Sequence, residues 1–224
     1  MIKKRLIVIE GTDGCGKQTQ TELLHKYLVE KGIDTRKISF PDYESDTSAL
    51  VRMYLCGQFG DNAEDVPPKI ASTFYALDRY GSYKSKWGKD YNNGTVIVSD
   101  RYIGSNMIHQ GSKLKGIEQM SFLSWLYSFE HYVLELPKET LTIFLDMPTE
   151  YTKQLMENRP NKITNEDVKD IHERDKTHLY KAYNTACSVA KAYGWKIVKC
   201  YENGHIRSIE DIHRDIVDLV EVVL

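Results

Sequence analysis

Residues 6–20 read LIVIEGTDGCGKQTQ, an apolar run that gives way to glycines and a lysine. The segment from Gly11 to Lys17 fits Gly-x-x-x-x-Gly-Lys, the pattern of phosphate-binding P-loops. Glycines let the backbone wrap closely around phosphate oxygens and turn its N–H groups onto them, while the following helix offers the positive end of its dipole. The segment therefore predicts a site for a phosphorylated ligand between a strand and a helix.

The pattern usually ends in Ser or Thr, whose hydroxyl ligates Mg²⁺, but here Gln18 follows Lys17 and Thr19 comes one position later. The context that the motif requires is present, because a strand-like run precedes it and a helical pattern of Leu23, Leu24 and Leu28 follows. The residues expected to bind the nucleotide are those of the loop and the first helical turn: Gly11, Thr12, Asp13, Gly14, Cys15, Gly16, Lys17, Gln18 and Thr19.

The composition is that of an ordinary globular protein, with 224 residues of which 41% are hydrophobic and 28% charged. The formal net charge of -2 gives no electrostatic argument for binding nucleic acid or an anionic membrane, so any affinity for phosphate must be local. No apolar run approaches the roughly 18 residues of a membrane span. Residues 1–5 are basic and lead straight into the short strand before the P-loop, a pattern that is not that of a signal peptide. A cytoplasmic location is therefore expected.

Five short β-rich runs alternate with longer helical patterns, at residues 6–9, 35–40, 95–99, 141–145 and 195–200. The runs at 96–98 and 143–145 are continuously apolar, which is typical of parallel strands covered by helices on both faces. No repeat, linker or low-complexity tract divides the chain. Residues 1–224 are therefore predicted to form one three-layer α/β/α P-loop NTPase domain around a five-stranded parallel sheet.

Two connections are longer than the others, at residues 39–68 and 158–173, and the second is polar and basic. In an open α/β sheet, ligands bind outside the carboxyl ends of the strands, where the P-loop also opens. The sequence therefore predicts a lid at approximately residues 158–173.

Asp100 and Arg101 follow the buried run at 96–98 and are expected at the sheet edge where the P-loop emerges. A carboxylate there can hold Mg²⁺ or its waters, and a planar guanidinium suits bidentate contact with phosphate. The alternative is a structural pair between these two residues. Asp13 would repel a triphosphate unless it faces a second substrate or the metal, so it favours a site with two substrates.

Tyr75 and Arg79 are four residues apart in a predicted helix over 70–86 and therefore share one face. A flat aromatic ring beside a guanidinium can hold a base by stacking and hydrogen bonding. Such a pair more often makes a surface cation–π contact, and that alternative stays open from the residues alone.

Together these segments resemble the thymidylate kinase family of P-loop nucleoside monophosphate kinases. The resemblance spans roughly residues 6–183, in the family's order, at residues 11–17, 40–43, 75–79, 100–102, 105–106, 110–111 and 170–175. It implies transfer of the γ-phosphoryl group of ATP to deoxythymidine monophosphate (dTMP), giving dTDP and ADP. It also implies Mg²⁺ as cofactor and a homodimer.

The resemblance assigns roles by position. Lys17 binds the ATP phosphates, Asp13 faces the acceptor and the metal, and Arg101 bridges the phosphates of donor and acceptor. Tyr75 stacks on the base, Arg79 bonds to its carbonyl, and Ser105 and Asn106 make polar contacts to the base. The full set of expected acceptor contacts is Asp13, Phe40, Pro41, Tyr43, Tyr75, Arg79, Arg101, Ser105, Asn106 and His109, and the expected metal residues are Asp13, Asp100 and Glu173.

The P-loop position of Gly14 carries a catalytic arginine in some members of the family, whereas members with glycine there supply basic residues from the lid. Arg159 is the first choice for that role, ahead of Lys162 and Arg174. Phosphoryl transfer needs alignment and positive charge around the equatorial oxygens, and a lid arginine that arrives with both substrates also excludes water.

His109 stands where the family usually has tyrosine near the sugar, which makes it a candidate pH-sensitive contact or a plain structural histidine. His109 and Gln18 keep open a kinase for another deoxynucleotide or a deoxynucleoside, and Gln18 alone keeps open a nucleotide-binding module without transferase activity. A broad apolar helical surface is predicted to be core together with part of a dimer interface, at Met120, Leu123, Trp125, Leu126, Phe129 and Val133.

Overall fold

The computed structural model describes residues 2–60, 62, 64–156 and 176–224. Five parallel strands form one sheet in the order β2-β3-β1-β4-β5, as the sequence predicts for a P-loop kinase fold. The strands are β1 (Leu6–Glu10), β2 (Thr35–Ser39), β3 (Val96–Asp100), β4 (Leu141–Asp146) and β5 (Lys196–Lys199). Both β1 and β3 extend one residue beyond their predicted ends, which places the carboxylates of Glu10 and Asp100 within the sheet.

Helices flank the sheet and fill the connections between strands. They are α1 (Lys17–Glu30), α2 (Ala49–Leu55), α3 (Pro68–Ser82), α4 (Gly88–Asn92), α5 (Ile103–His109), α6 (Gly116–Ser128), α7 (Thr149–Met156), α8 (Lys176–Ala192) and α9 (Ile209–Glu221). Two π-helical turns, Tyr83–Trp87 and Phe129–Val133, directly follow α3 and α6. None of the helices in the described part of the chain is long and apolar enough to cross a membrane.

A short hairpin, absent from the predicted strands, joins β6 (Tyr201–Glu202) to β7 (His205–Ile206). Its turn is Asn203-Gly204, with φ angles of 51° and 79°. An Asn-Gly pair is the strongest short-range hairpin signal because both residues tolerate positive φ. Hydrophobic alternation does not predict this hairpin, because strands of two residues are too short to show it.

Alternate residues of β1 pack into two separate apolar clusters on opposite faces of the sheet. Ile7 and Ile9 pack with Leu24 and other residues on one side, whereas Leu6 and Val8 pack with residues of the other side. Because successive side chains of a strand point to opposite faces, both faces of β1 must be apolar. This burial explains the continuous apolar run before the P-loop and fixes the loop at the carboxyl edge of the sheet.

The predicted lid, residues 158–173, lies outside the described residues, as do Arg159, Lys162, Glu173 and Arg174.

Candidate active site

The P-loop connects β1 to α1 with two glycines in the left-handed region. Gly14 and Gly16 have φ angles of 81° and 91°, which glycine adopts at the least cost. Lys17 is the first residue of α1, and its buried ammonium folds back to donate to the Thr12 carbonyl at 2.7 Å. The loop therefore encloses a positive charge, and phosphate oxygens are the ligands that such a loop binds.

Within the loop, the predicted binding residues differ in exposure. Cys15 is buried in the apolar core, and Gln18 is exposed at the second position of α1. The Thr12 hydroxyl is buried and has no hydrogen-bond partner among the described residues. Since a buried hydroxyl normally has a partner, Thr12 is a further polar group at this loop that a ligand can satisfy.

Arg101 follows β3 in a left-handed backbone conformation, with a φ angle of 68°. Its N–H group donates to the Ile9 carbonyl at 3.0 Å, and its own carbonyl accepts from the Ser99 hydroxyl at 2.5 Å. A residue other than glycine in this region carries strain that the surrounding bonds must hold. The conformation ties the end of β3 to the end of β1.

The guanidinium of Arg101 reaches the P-loop and forms an ion pair with the Asp13 carboxylate. It also donates through Nη1 to the Ser105 hydroxyl at 3.2 Å. The alternative of a structural pair between Asp100 and Arg101 is therefore wrong, because the carboxylate that pairs with Arg101 is that of Asp13.

The surroundings of the Asp13–Arg101 pair determine the charge of Asp13. Burial by itself raises the pKa of the Asp13 carboxyl, but several favourable interactions, of which the attraction of the Arg101 guanidinium is the largest, together outweigh burial and hold that pKa well below its ordinary value. Asp13 is therefore a carboxylate at any physiological pH, and it orients the guanidinium rather than exchanging a proton.

Glu10, at the end of β1, is a site residue that the sequence analysis missed. Its fully buried carboxylate accepts the N–H groups of Tyr102 at 2.8 Å and Ser105 at 2.9 Å, and the Ser105 hydroxyl at 2.7 Å. These bonds hold the segment on either side of Arg101 against β1. In the sequence, Glu10 could be recognised as a site residue because it is an acidic residue at the end of a strand whose other residues are all apolar.

Ser105 lies between two charged groups rather than in an apolar pocket. Its hydroxyl donates to Glu10 and accepts from Arg101. Its predicted contact with the base stays a prediction, and the observed bonds give it a role in holding the guanidinium.

Asp100 is buried at the end of β3, and its Oδ1 has no hydrogen-bond partner among the described residues. Oxygen ligands are those that Mg²⁺ prefers, and Mg²⁺ commonly uses one or two carboxylates together with substrate phosphates and water. No group of three or more acidic, His or Cys residues in the described ranges forms a complete metal site. The orphaned oxygen of Asp100 therefore fits Mg²⁺ that arrives with a nucleotide.

Tyr75 and Arg79 lie on α3 as predicted, but they do not form a surface pair. Arg79 is buried and donates to the buried Glu130 carboxylate through Nε at 2.6 Å and Nη2 at 2.5 Å. Its guanidinium lies 6.0 Å from the centre of the Tyr102 ring, while Tyr75 makes an edge contact with the Tyr54 ring at 6.2 Å. The surface cation–π alternative is wrong.

Asn106 of α5 lies beside the same carboxylate. Its Nδ2 donates to the Ser72 carbonyl at 3.1 Å and to Glu130 at 3.4 Å. Two of the residues expected to contact the base, Arg79 and Asn106, are thus brought together by Glu130, which the sequence did not indicate.

His109 ends α5, half-buried, and its ring stacks on His178 of α8 with centroids 5.8 Å apart. Burial lowers the pKa of His109 to about 3. The imidazole is therefore neutral at physiological pH, and the hypothesis of a pH-sensitive contact is wrong. Its proximity to the sugar stays a prediction.

The remaining expected acceptor contacts follow β2. Phe40 is buried and packs on the Tyr102 ring with centroids 6.0 Å apart. Tyr43 packs against the cluster of Val51 and Tyr54 under α2 and α3. Pro41 lies between them in sequence, so the segment borders both Tyr102 and the α3 helix that carries Tyr75.

Comparison with known proteins gives one consistent family. The family described as thymidylate kinase matches residues 9–201. A probable thymidylate kinase of Thermococcus gammatolerans is 27% identical over 218 residues, 96% of this chain and 95% of the relative. The thymidylate kinase of Mycobacterium tuberculosis is 28% identical over 193 residues, 85% of this chain and 87% of the relative. A solved structure of thymidylate kinase from Candida albicans shares the fold with a TM-score of 0.70, at 22% identity, over 98% of this chain and 92% of that one.

Proposed function

Since this chain belongs to the thymidylate kinase family and is an ATP-dependent nucleoside monophosphate kinase acting on dTMP, we propose that phosphoryl transfer takes place at the Asp13–Arg101 pair. The observation that carries the proposal is the bond between a P-loop carboxylate and a guanidinium that follows β3. This bond joins the element that binds the donor to the element that borders the acceptor.

On the donor side, Lys17 and the N–H groups of the P-loop hold the ATP phosphates. The Lys17 ammonium exchanges its bond to the Thr12 carbonyl for bonds to phosphate oxygens. Because the ammonium is already inside the loop, little reorganisation is needed when the nucleotide binds.

Between donor and acceptor, Arg101 presents a planar fork to the acceptor phosphate, and Asp13 and Ser105 fix the direction of that fork. Phosphoryl transfer depends on alignment and on stabilising charge rather than on a covalent nucleophile. Mg²⁺, when bound, neutralises charge on the transferring phosphates, and Asp100, Asp13 and Glu173 are the residues proposed to hold it or its waters.

On the acceptor side, Tyr75 offers a stacking surface, and Arg79 and Asn106 offer polar contacts to the base. Phe40, Pro41 and Tyr43 border the same pocket, and a neutral His109 lies toward the sugar.

The lid supplies the remaining cation, with Arg159 proposed ahead of Lys162 and Arg174. Support comes from Gly14, which has no side chain to supply a cation from the P-loop. A cytoplasmic location fits a kinase of free nucleotides.

A panel of acceptors tests the function. With ATP and Mg²⁺, dTMP is expected to give the highest kcat/KM when compared with dUMP, dCMP, AMP and thymidine, measured by coupled ADP release. Turnover of dCMP, AMP or thymidine as fast as that of dTMP would contradict the assignment. Binding of ATP without any turnover would instead favour a nucleotide-binding module.

The α6 surface supports the proposed homodimer. Leu123 and Leu126 are buried in the core, but Met120 and Val133 are 63% and 68% exposed, and Ile117 is 78% exposed. Exposed apolar side chains grouped on one helix and the π turn after it are typical of an interface. Analytical ultracentrifugation is expected to give twice the mass of one chain, and the mass of one chain at micromolar concentration would contradict a stable dimer.

A further inference from the structure

Glu130 lies in the π-helical turn after α6 and is fully buried. Its two carboxylate oxygens each accept a bond from Arg79, at 2.6 Å and 2.5 Å, in a bidentate pair. Such a buried pair is weak evidence for stability, because the cost of removing two charges from water offsets much of their attraction. The presence of the Arg79–Glu130 pair is therefore better explained by a role in substrate binding than by stability.

The bonds of Arg79 restrict which of its N–H groups remain for a ligand. The described hydrogen bonds use Nε and Nη2 toward Glu130 and Nη1 toward the Tyr102 carbonyl at 3.4 Å. A guanidinium has five N–H groups in a rigid plane, so one hydrogen on each terminal nitrogen is left to donate. Glu130 and the Tyr102 carbonyl therefore fix the plane of Arg79, which can act only as a donor.

The bonds of Asn106 fix the orientation of its amide. Its Nδ2 faces the Ser72 carbonyl and the Glu130 carboxylate, at 3.1 Å and 3.4 Å. Both of these groups are acceptors only, so the reverse orientation would place the amide oxygen against two oxygens. The amide must keep its nitrogen toward them, which leaves Oδ1 as the one side-chain atom of Asn106 that can accept from a ligand.

A fixed donor beside a fixed acceptor matches the edge of one class of pyrimidine. Thymine and uracil present an acceptor at O4 and a donor at N3–H, whereas cytosine presents a donor at N4 and an acceptor at N3. Cytosine would therefore set donor against donor at Arg79 and acceptor against acceptor at Asn106. Leaving such buried polar groups unpaired is what gives strong discrimination between ligands of similar size.

We propose that Glu130 is a positioning residue that sets the preference for a 4-keto over a 4-amino pyrimidine, by holding Arg79 as a donor and the Asn106 amide with its oxygen toward the base. The inference rests on the proposed function, in which these two residues contact the base of the acceptor. It adds that the choice between bases is made by a carboxylate that never touches the nucleotide.

Glu130→Gln tests the inference. The glutamine amide keeps one oxygen but places an NH2 group where the other oxygen accepted. In either orientation that group faces an N–H donor of Arg79, and in one orientation it also faces Nδ2 of Asn106, so the bidentate pair and the fixed direction of both side chains are lost. The ratio of kcat/KM for dTMP over dCMP is expected to fall at least about tenfold, mainly through a higher KM for dTMP. The KM for ATP is expected to change less than about twofold, because the P-loop follows β1 whereas Glu130 lies in the turn after α6.

Glu10→Gln is the matched control, since it makes the same substitution at another fully buried carboxylate, one that holds the Arg101 segment. It is expected to lower kcat for both nucleotides and to leave their ratio unchanged. Should Glu130→Gln fail to fold, Glu130→Asp keeps the charge opposite Arg79 while withdrawing the oxygens from Asn106, and it is also expected to reduce the ratio.

An equal loss for dTMP and dCMP in the folded Glu130 variants, with the ratio kept, would overturn the inference and reduce Glu130 to a structural residue. A wild-type enzyme with no preference for dTMP over dCMP would overturn the proposed function itself. The two failures are therefore distinguished by the wild-type ratio.

Discussion

Replacing Arg101 by alanine is expected to lower kcat for dTMP by about 10³-fold or more, the range found for an arginine that stabilises charge in phosphoryl transfer. The substitution removes the guanidinium that joins the Asp13 carboxylate to Ser105 and leaves the acceptor phosphate without its fork. Alanine keeps the Cβ atom, so the left-handed backbone remains under the same constraint as in the native protein. Steady-state kinetics with ATP and dTMP give the loss directly.

Two comparisons make the Arg101 result specific. Arg101→Lys keeps the positive charge but not the planar fork, so it is expected to recover only a small part of the activity. Arg207→Ala removes an arginine that pairs with Asp215 on α9, at 2.7 Å, and is expected to leave kcat near normal. Near-normal turnover of Arg101→Ala, with ATP bound as in the wild type, would remove Arg101 from the catalytic set.

Lys17→Ala is expected to lower kcat/KM for ATP by about 10²- to 10³-fold, the usual cost of losing one preorganised group that stabilises transition-state charge. The reason is that the buried Lys17 ammonium lies inside the P-loop, bonded to the Thr12 carbonyl, where the donor phosphates bind. Titration with ATP and initial rates at saturating dTMP separate the loss of affinity from the loss of rate.

Lys26→Ala on the same helix is the control for Lys17. The Lys26 side chain is 73% exposed and lies 3.8 Å from Glu30, a surface pair of little energetic value. Its kinetics with ATP are expected to match the wild type. Unchanged ATP kinetics in Lys17→Ala as well would show that the phosphates bind elsewhere.

Local patterns made much of the fold predictable. The continuous apolar runs of β1, β3 and β4 reflect burial on both faces of the sheet, and each ends close to its predicted residue. The P-loop is predictable because its function depends on glycines at fixed spacing within one short segment. The π turns Tyr83–Trp87 and Phe129–Val133 were not found, since neither carries a pattern that distinguishes it from the helix before it.

Partners of the site residues were much harder to predict than the residues themselves. Arg101 and Asp13 are separated by 88 positions, Ser105 and Glu10 by 95, and Arg79 and Glu130 by 51. The periodicity of a helix or a strand reports which face is buried, but it does not say which distant side chain arrives there. A pair between Asp100 and Arg101 is the alternative that their adjacency in sequence suggests, whereas the fold brings Asp13 to that guanidinium.

If one site joins ATP to dTMP, the γ-phosphate of ATP must pass directly to the acceptor nucleotide. The protein is incubated with Mg²⁺, dTMP and ATP labelled at the γ-phosphate, and the products are separated and counted. The label is expected in dTDP, with transfer that depends on dTMP and is lost in Arg101→Ala. Label released only as inorganic phosphate, at the same rate with and without dTMP, would contradict the claim.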